Sequence, residues 1–423
     1  VKRFILQARQ STFLRYNAIF LLGSVAVGVL NYLYYPVLGR MLPPAVFGEV
    51  QVLVSLFLQA SIFLSVFGMV AINIMTTYKN KAKAQQTIFE LEKLALFIGV
   101  VLLAATILAG EPLRQLFQFA SAWPFMALAL ALLVSIPLAS RSAYLRGTKR
   151  FGQSSIAYII AAASKLVLSA LFVLFGAGTF GAIGGIGVAQ FLAFAYAALM
   201  GKRGQFTPTG SYFSPPHLPS VLPELRYAGL VCAVSLGTML LFSVDVLIVK
   251  YLFDPEVAGL YAGVATVARI IFFLALPISQ VLLPLVSPRG DVKANRGVLY
   301  KSLALSAVVT LPVLVICWFA PEWIISVLMG RQYVVYAELL PLLSLSIYML
   351  SLANLVVMYH LTFRRWGVAI VVLTCAIIMF ALMVMQHASP GVVVANIFVS
   401  SMSLLLLLGV WMLLRIKRQG YKR

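Results

Sequence analysis

Long apolar stretches alternate along the chain with short polar connections, and no polar phase is long enough to bury a core of its own. Twelve stretches approach the roughly 20 apolar residues that an α-helix needs to cross the hydrocarbon core of a bilayer. They lie near residues 17–38, 50–74, 93–110, 122–145, 154–176, 180–200, 226–250, 257–286, 299–319, 336–359, 366–386 and 391–414. The pattern predicts an all-α polytopic membrane protein of twelve transmembrane helices. A shorter apolar piece, Trp323 to Gly330, is expected at the outer surface between the ninth and tenth spans. Prolines within the spans, among them Pro36, Pro277, Pro284, Pro312 and Pro341, are tolerated where neighbouring helices re-satisfy the freed carbonyls. Nothing after the first apolar run resembles a cleavage site of small residues, so the first helix is expected to be retained.

The connections divide the spans into two sets of six. Residues 201–225 form the one extended connection, and their prolines suit a linker better than a folded domain. The expected organisation is an N-terminal six-helix bundle over 1–200, a cytoplasmic linker over 201–225 and a C-terminal six-helix bundle over 226–423. An internal echo supports two related halves. Met41-Leu42-Pro43-Pro44-Ala45-Val46-Phe47-Gly48 follows the first span, and Leu252-Phe253-Asp254-Pro255-Glu256-Val257-Ala258-Gly259 follows the seventh. The two segments share an apolar pair, a proline and a glycine, and the proline suits the first turn of the next helix. Six is even, so both halves start from the same side, as parallel repeats do in alternating-access transporters.

Charge orients the whole. Of 32 Lys and Arg residues, 26 fall in the N-terminal tail, the even-numbered connections with the span ends beside them, and the C-terminal tail. Four fall in the odd-numbered connections (Arg40, Arg114, Lys250 and Arg331), and two lie inside spans (Lys165 and Arg269). Basic residues beside membrane spans stay on the cytoplasmic side, so both termini are expected inside. The net charge of +21 is spread over separate clusters beside the membrane, which suits anionic lipid and not nucleic acid. An apolar fraction of 62% exceeds the roughly 45–50% of ordinary proteins. Cys232, Cys317 and Cys375 all lie in apolar segments, and His217, His360 and His387 share no ligand spacing, so neither a disulfide nor a metal is indicated.

Ionisable residues at membrane depth are costly and usually face a cavity or a partner. Lys165 shares a helical face with Tyr158, Ala162 and Ser169; Arg269 shares one with Ala262 and Thr266. Asp245 is the one acid well inside a span and the sole candidate for an ion-coupling site. The first span carries Asn17, Ser24 and Asn31 at intervals of seven; the tenth carries Ser344, Tyr348, Ser351 and Asn354. Gln59 lies near Ser55, and Gln190 in the sixth span. Polar stripes of this kind also arise from plain helix–helix contact, and an ion pair of Arg269 or Lys165 with Asp245 would simply hold the bundle. One carboxylate cannot neutralise two cations, however, and the surplus positive field suits an anionic ligand. Arg141, within Pro137-Leu138-Ala139-Ser140-Arg141, is a candidate first contact for a pyrophosphate. No P-loop, carboxylate pair or His/Cys cluster points to an enzyme or a cofactor.

The stretch from Asn31 through Tyr34-Tyr35-Pro36-Val37-Leu38-Gly39-Arg40 to Phe47-Gly48, with its echo at Ala258-Gly259-Leu260-Tyr261, resembles the polysaccharide flippase family of the multidrug/oligosaccharidyl-lipid/polysaccharide exporter superfamily. The resemblance implies two six-helix bundles around a central cavity. It also implies transport of undecaprenyl-diphosphate-linked oligosaccharide from the inner to the outer leaflet of a bacterial or archaeal cytoplasmic membrane, for surface polysaccharide such as O-antigen or exopolysaccharide. The headgroup would occupy the cationic cavity and the polyprenyl tail would stay among membrane lipids. Lys165 and Arg269 fit the cavity cations, with Arg141, Asn31, Gln59 and Asn354 as further substrate contacts. Glycan polymerase, other assembly proteins and a coupling ion complete the partners so implied. The alternative from the same superfamily is an ion-coupled multidrug-type antiporter using Asp245, and a further one is a non-transporting scaffold for a glycan polymerase.

Overall fold

A computed structural model describes residues 12–203, 206, 212, 222–286 and 292–420. Most of the linker expected over 201–225 lies outside the described residues. Among those described there is no strand. Among the described residues eleven helices are long and apolar enough to cross a membrane, and Thr12–Met41 is a further helix of 30 residues. We number them α1 Thr12–Met41, α2 Pro44–Thr77, α3 Lys81–Leu108, α4 Trp123–Gly147, α5 Phe151–Leu174, α6 Gly178–Arg203 and α7 Leu222–Leu252. α8 comes in two pieces, α8a Pro255–Ala268 and α8b Ile270–Leu285; then follow α9 Val292–Phe319, α10 Leu340–Thr362, α11 Trp366–Met385 and α12 Pro390–Gly420.

Local chemistry sets several boundaries. α3 starts where the Asn80 side chain accepts from the Lys83 amide at 3.2 Å, satisfying one of the free N–H groups of its first turn. Proline opens α2, α8a and α12, where its missing N–H has no helical partner to lose. The turn between α5 and α6 needs left-handed backbone at Gly176 (φ 85°) and Gly178 (φ 47°), which glycine adopts without a Cβ clash. Exposed Phe97, Ile98, Val101 and Leu102 on α3 give it the apolar outer surface of a helix bathed in lipid.

The chain forms two compact units, Val1–Met41 with Ala60–Ala228, and Leu42–Gln59 with Gly229–Arg423. The expected division put 42–59 with the first bundle, whereas the first turns of α2 cluster with the second unit. In the first unit, α6 packs on α5 and α4, α1 on α5, and α3 on α4. Small residues allow the close approach: a Cβ at Gly185 of α6 would collide with Ser169 of α5. In the second unit α10 packs against α8b, α9 and α12, and α11 against α12. The two halves of the sequence echo touch each other there. A Cβ at Gly48 would lie 3.0 Å from the Gly259 Cα, and one at Gly259 would run into the Pro44 carbonyl. The apolar piece expected at the outer surface forms the helix Pro321–Leu328, which leads into a 3-10 segment, Arg331–Leu339. Trp323 is exposed, yet Ile325 and Tyr333 are fully buried; the Tyr333 ring packs edge-on against Phe47 and fills the space left by Gly263.

Candidate functional site

Among the described residues, the first unit holds a lysine with no acidic partner. Lys165 projects from α5 toward α1, where its Nζ donates to Asn31 Oδ1 at 2.5 Å. The same ammonium stands 4.5 Å from the centre of the Tyr34 ring, within cation–π distance. Tyr34 is itself fixed. It is fully buried, its hydroxyl donates to the Ala182 carbonyl of α6 at 3.3 Å, and Ser169 donates to the same carbonyl at 2.7 Å. Among the described residues no carboxylate pairs with Lys165. Lys165 and Asn31 are both half-buried. An amide dipole and an aromatic face solvate an ammonium without cancelling its charge. The arrangement is suited to receiving an anion.

Arg269 is placed differently. It sits at the break between α8a and α8b, where Nη2 meets Asp245 Oδ1 of α7 at 2.6 Å and Nε donates to the Phe242 carbonyl at 3.2 Å. Tyr261 donates to the other carboxylate oxygen, Asp245 Oδ2, at 2.8 Å. All three side chains are buried. Of the two cations expected at depth, one is thus neutralised within the second unit, and the single carboxylate expected to serve ion coupling has both oxygens engaged. This is the holding ion pair that the sequence allowed as an alternative.

Arg141 is likewise engaged. On α4, its Nη1 meets Glu92 Oε2 at 2.6 Å and Ser140 Oγ at 3.1 Å, while its guanidinium lies 4.4 Å from the Phe206 ring centre. Tyr212 closes the circuit, accepting from Arg141 Nη2 at 3.0 Å and donating to Glu92 Oε1 at 3.1 Å. Burial, and next the Glu92 carboxylate, push the Tyr212 hydroxyl above its ordinary pKa. Arg141 thus has a buried carboxylate and a tyrosine hydroxyl as partners.

The amides divide as well. Gln59 reaches Ser243 at 3.5 Å and stays half-buried. Asn354 is buried on α10 and donates to Ser279 of α8b at 3.4 Å, while its Oδ1 has no partner among the described residues. Ser344 and Ser351 of the same stripe bond back to their own helix, so half of that stripe is local hydrogen bonding. Sequence reasoning missed Glu92, Tyr34 and Tyr261. Glu92 was hidden in the charged lead-in Glu90-Leu91-Glu92-Lys93, which reads as a solvated connection but is buried. Gln51, buried and bonded to Thr266, was also unremarked.

A family model described as "Polysaccharide biosynthesis protein" matches residues 14–288, more than half of the chain. No curated protein matches this chain. Among solved structures, the lipid II flippase MurJ in an inward closed conformation superposes with a TM-score of 0.71 at 11% identity, covering 92% of this chain and 86% of that one. An outward-facing multidrug resistance MATE family transporter of the MOP superfamily gives 0.64 at 13%, covering 96% and 97%. A MOP superfamily transporter from Pyrococcus furiosus, noted for a binding pocket of reverse polarity, gives 0.62 at 12%, covering 95% of both chains. At such identities the likeness is one of fold. The family match and the long apolar helices together identify this chain as a multi-pass membrane protein belonging to the polysaccharide biosynthesis protein family.

Proposed function

We propose that the protein is a flippase that moves a polyprenyl-diphosphate-linked oligosaccharide from the inner to the outer leaflet of the cytoplasmic membrane by alternating access. The observation that carries this reading is Lys165, half-buried beside Asn31 and Tyr34 with no acidic partner among the described residues. A sugar pyrophosphate cannot cross hydrocarbon unaided, since its charges would lose water without gaining partners. Lys165 supplies the opposite charge, and Asn31 an amide that can turn from the ammonium to a phosphate oxygen or a sugar hydroxyl. Arg269, Asp245 and Arg141 hold helices in this reading and do not touch the cargo. No bond is broken, so the protein is not an enzyme. The ends rich in Lys and Arg, with both termini, face the cytoplasm.

The antiporter reading relies on Asp245, whose two oxygens are taken by Arg269 and Tyr261. The flippase reading is tested by Lys165→Gln in a cell whose surface glycan depends on this protein. The expected result is normal insertion, lost surface glycan and accumulation of the lipid-linked precursor in the inner leaflet. Normal glycan display at a normal protein level would overturn it.

A further inference from the structure

The second unit contains a site of opposite character. A groove of about 480 Å³ runs between α9, α10 and α12, lined by Leu303, Ala307, Leu352, Val356, Leu405 and Gly409. Its size is that of a small-molecule pocket, roughly 300–1,000 Å³. Every residue lining it is apolar, so no sugar, ion or water finds a partner there. A Cβ added at Gly409 would meet nothing within 4 Å, which means that α12 leaves room and does not pack shut. An empty groove of that size would forgo dispersion contacts along three helices.

One end of the groove carries charge. Leu303 and Met412, both in its wall, pack with Leu299 and Leu355 around the buried Tyr359, one helical turn beyond Val356. Arg296 and Arg365 both lie near enough to Tyr359 to act on it electrostatically. Arg296 precedes Leu303 by seven residues on the same face of α9. Arg365 follows α10, its guanidinium 4.7 Å from the Phe363 ring centre and its Nη1 3.0 Å from His360 Nδ1. An apolar slot that ends at two guanidinium groups has the polarity of a lipid with a phosphate head.

We propose that this groove holds one acyl chain of an anionic phospholipid, with the phosphate at Arg296 and Arg365. The lipid is a resident of the second unit and not the transported cargo, so the inference goes beyond the flippase reading and stands without it. Net-anionic lipids are drawn to juxtamembrane arginines in a way that a zwitterionic lipid is not, and for two residues near the surface the preference is on the order of tenfold or more.

Native mass spectrometry of the full chain, equilibrated with phosphatidylglycerol and phosphatidylcholine in equal amounts, reads the proposal directly. Wild type should retain phosphatidylglycerol about tenfold over phosphatidylcholine. Arg296→Gln with Arg365→Gln should erase that preference while leaving the amount of bound lipid nearly unchanged. Gly409→Leu should fill the slot and remove the tightly held lipid, with a melting temperature like that of wild type. Should that variant fold poorly, the arginine pair alone decides the matter. Equal retention of the two lipids by wild type, as for bulk lipid, would overturn the proposal. So would unchanged retention in a folded Gly409→Leu protein, or displacement of the phospholipid by a polyprenyl phosphate at equal concentration.

Discussion

Two basic side chains inside apolar spans look alike in sequence and have opposite surroundings in the structure. Arg269 is held by Asp245, which Tyr261 also grips, whereas Lys165 meets an amide and a ring and, among the described residues, no carboxylate. Their substitutions should therefore separate. Arg269→Gln leaves a buried carboxylate with one hydroxyl donor, and breaking a buried pair in this way costs roughly 3–5 kcal/mol. Thermal unfolding in detergent should show that loss, and the double change Arg269→Gln with Asp245→Asn should recover much of it because neither charge is then stranded. Lys165→Gln removes a charge that no carboxylate balances, so its melting temperature should stay close to that of wild type while transport fails. Equal thermal losses from the two single changes would undo the distinction. The pairing was only partly legible beforehand. The count of one acid against two cations pointed to a surplus, but which cation the acid would take depends on the break at Arg269 that turns the guanidinium toward α7.

At the scale of the helix, glycines that meet another backbone behave differently from those that face open space. Gly259→Ala would drive a methyl group into the Pro44 carbonyl, and backbone cannot move aside as a side chain can. Overpacking of this kind costs about 1–3 kcal/mol. Gly297→Ala meets nothing within 4 Å and should instead gain about 0.5–1 kcal/mol through helix propensity. Melting temperatures of the two variants should move in opposite directions. The sequence displayed the two Pro-to-Gly motifs as an echo, and Gly259 as a likeness to Gly48. That the two glycines press against each other is a property of helix crossing and left no mark on the spacing. The contact among α3, α4 and the connection after α6 has a pH signature. The Tyr212 hydroxyl is bound as a donor to Glu92, and its raised pKa means that the folded state prefers the protonated form. That contribution is complete below the ordinary tyrosine pKa of about 10 and is lost as pH rises through the folded value. Cleavage of the connection by an alkaline protease should therefore increase above about pH 10, and the step should be missing in Tyr212→Phe.

For the molecule as a whole, the apolar pattern was enough to foresee an all-α membrane protein, because hydrocarbon admits few other solutions for the backbone. Burial, charge pairing and the reassignment of residues 42–59 were not foreseeable, since an apolar side chain reads the same whether it faces lipid or protein. Leu38 and Leu102 illustrate the point: the first is fully buried and the second 60% exposed. Membrane orientation is the whole-molecule property that the charge count argues most directly. With 26 basic residues on one set of ends and four on the other, no single substitution should reverse the topology. The native cysteines offer little background, since Cys317 and Cys375 are buried and Cys232 is partly covered. A cysteine introduced at Gln118, between α3 and α4, should react with a membrane-impermeant maleimide added to intact cells. One introduced at Lys79, between α2 and α3, should react only after the membrane is opened. Labelling of Lys79→Cys in intact cells would place the basic ends outside, and the direction of transport argued from them would have to be reversed.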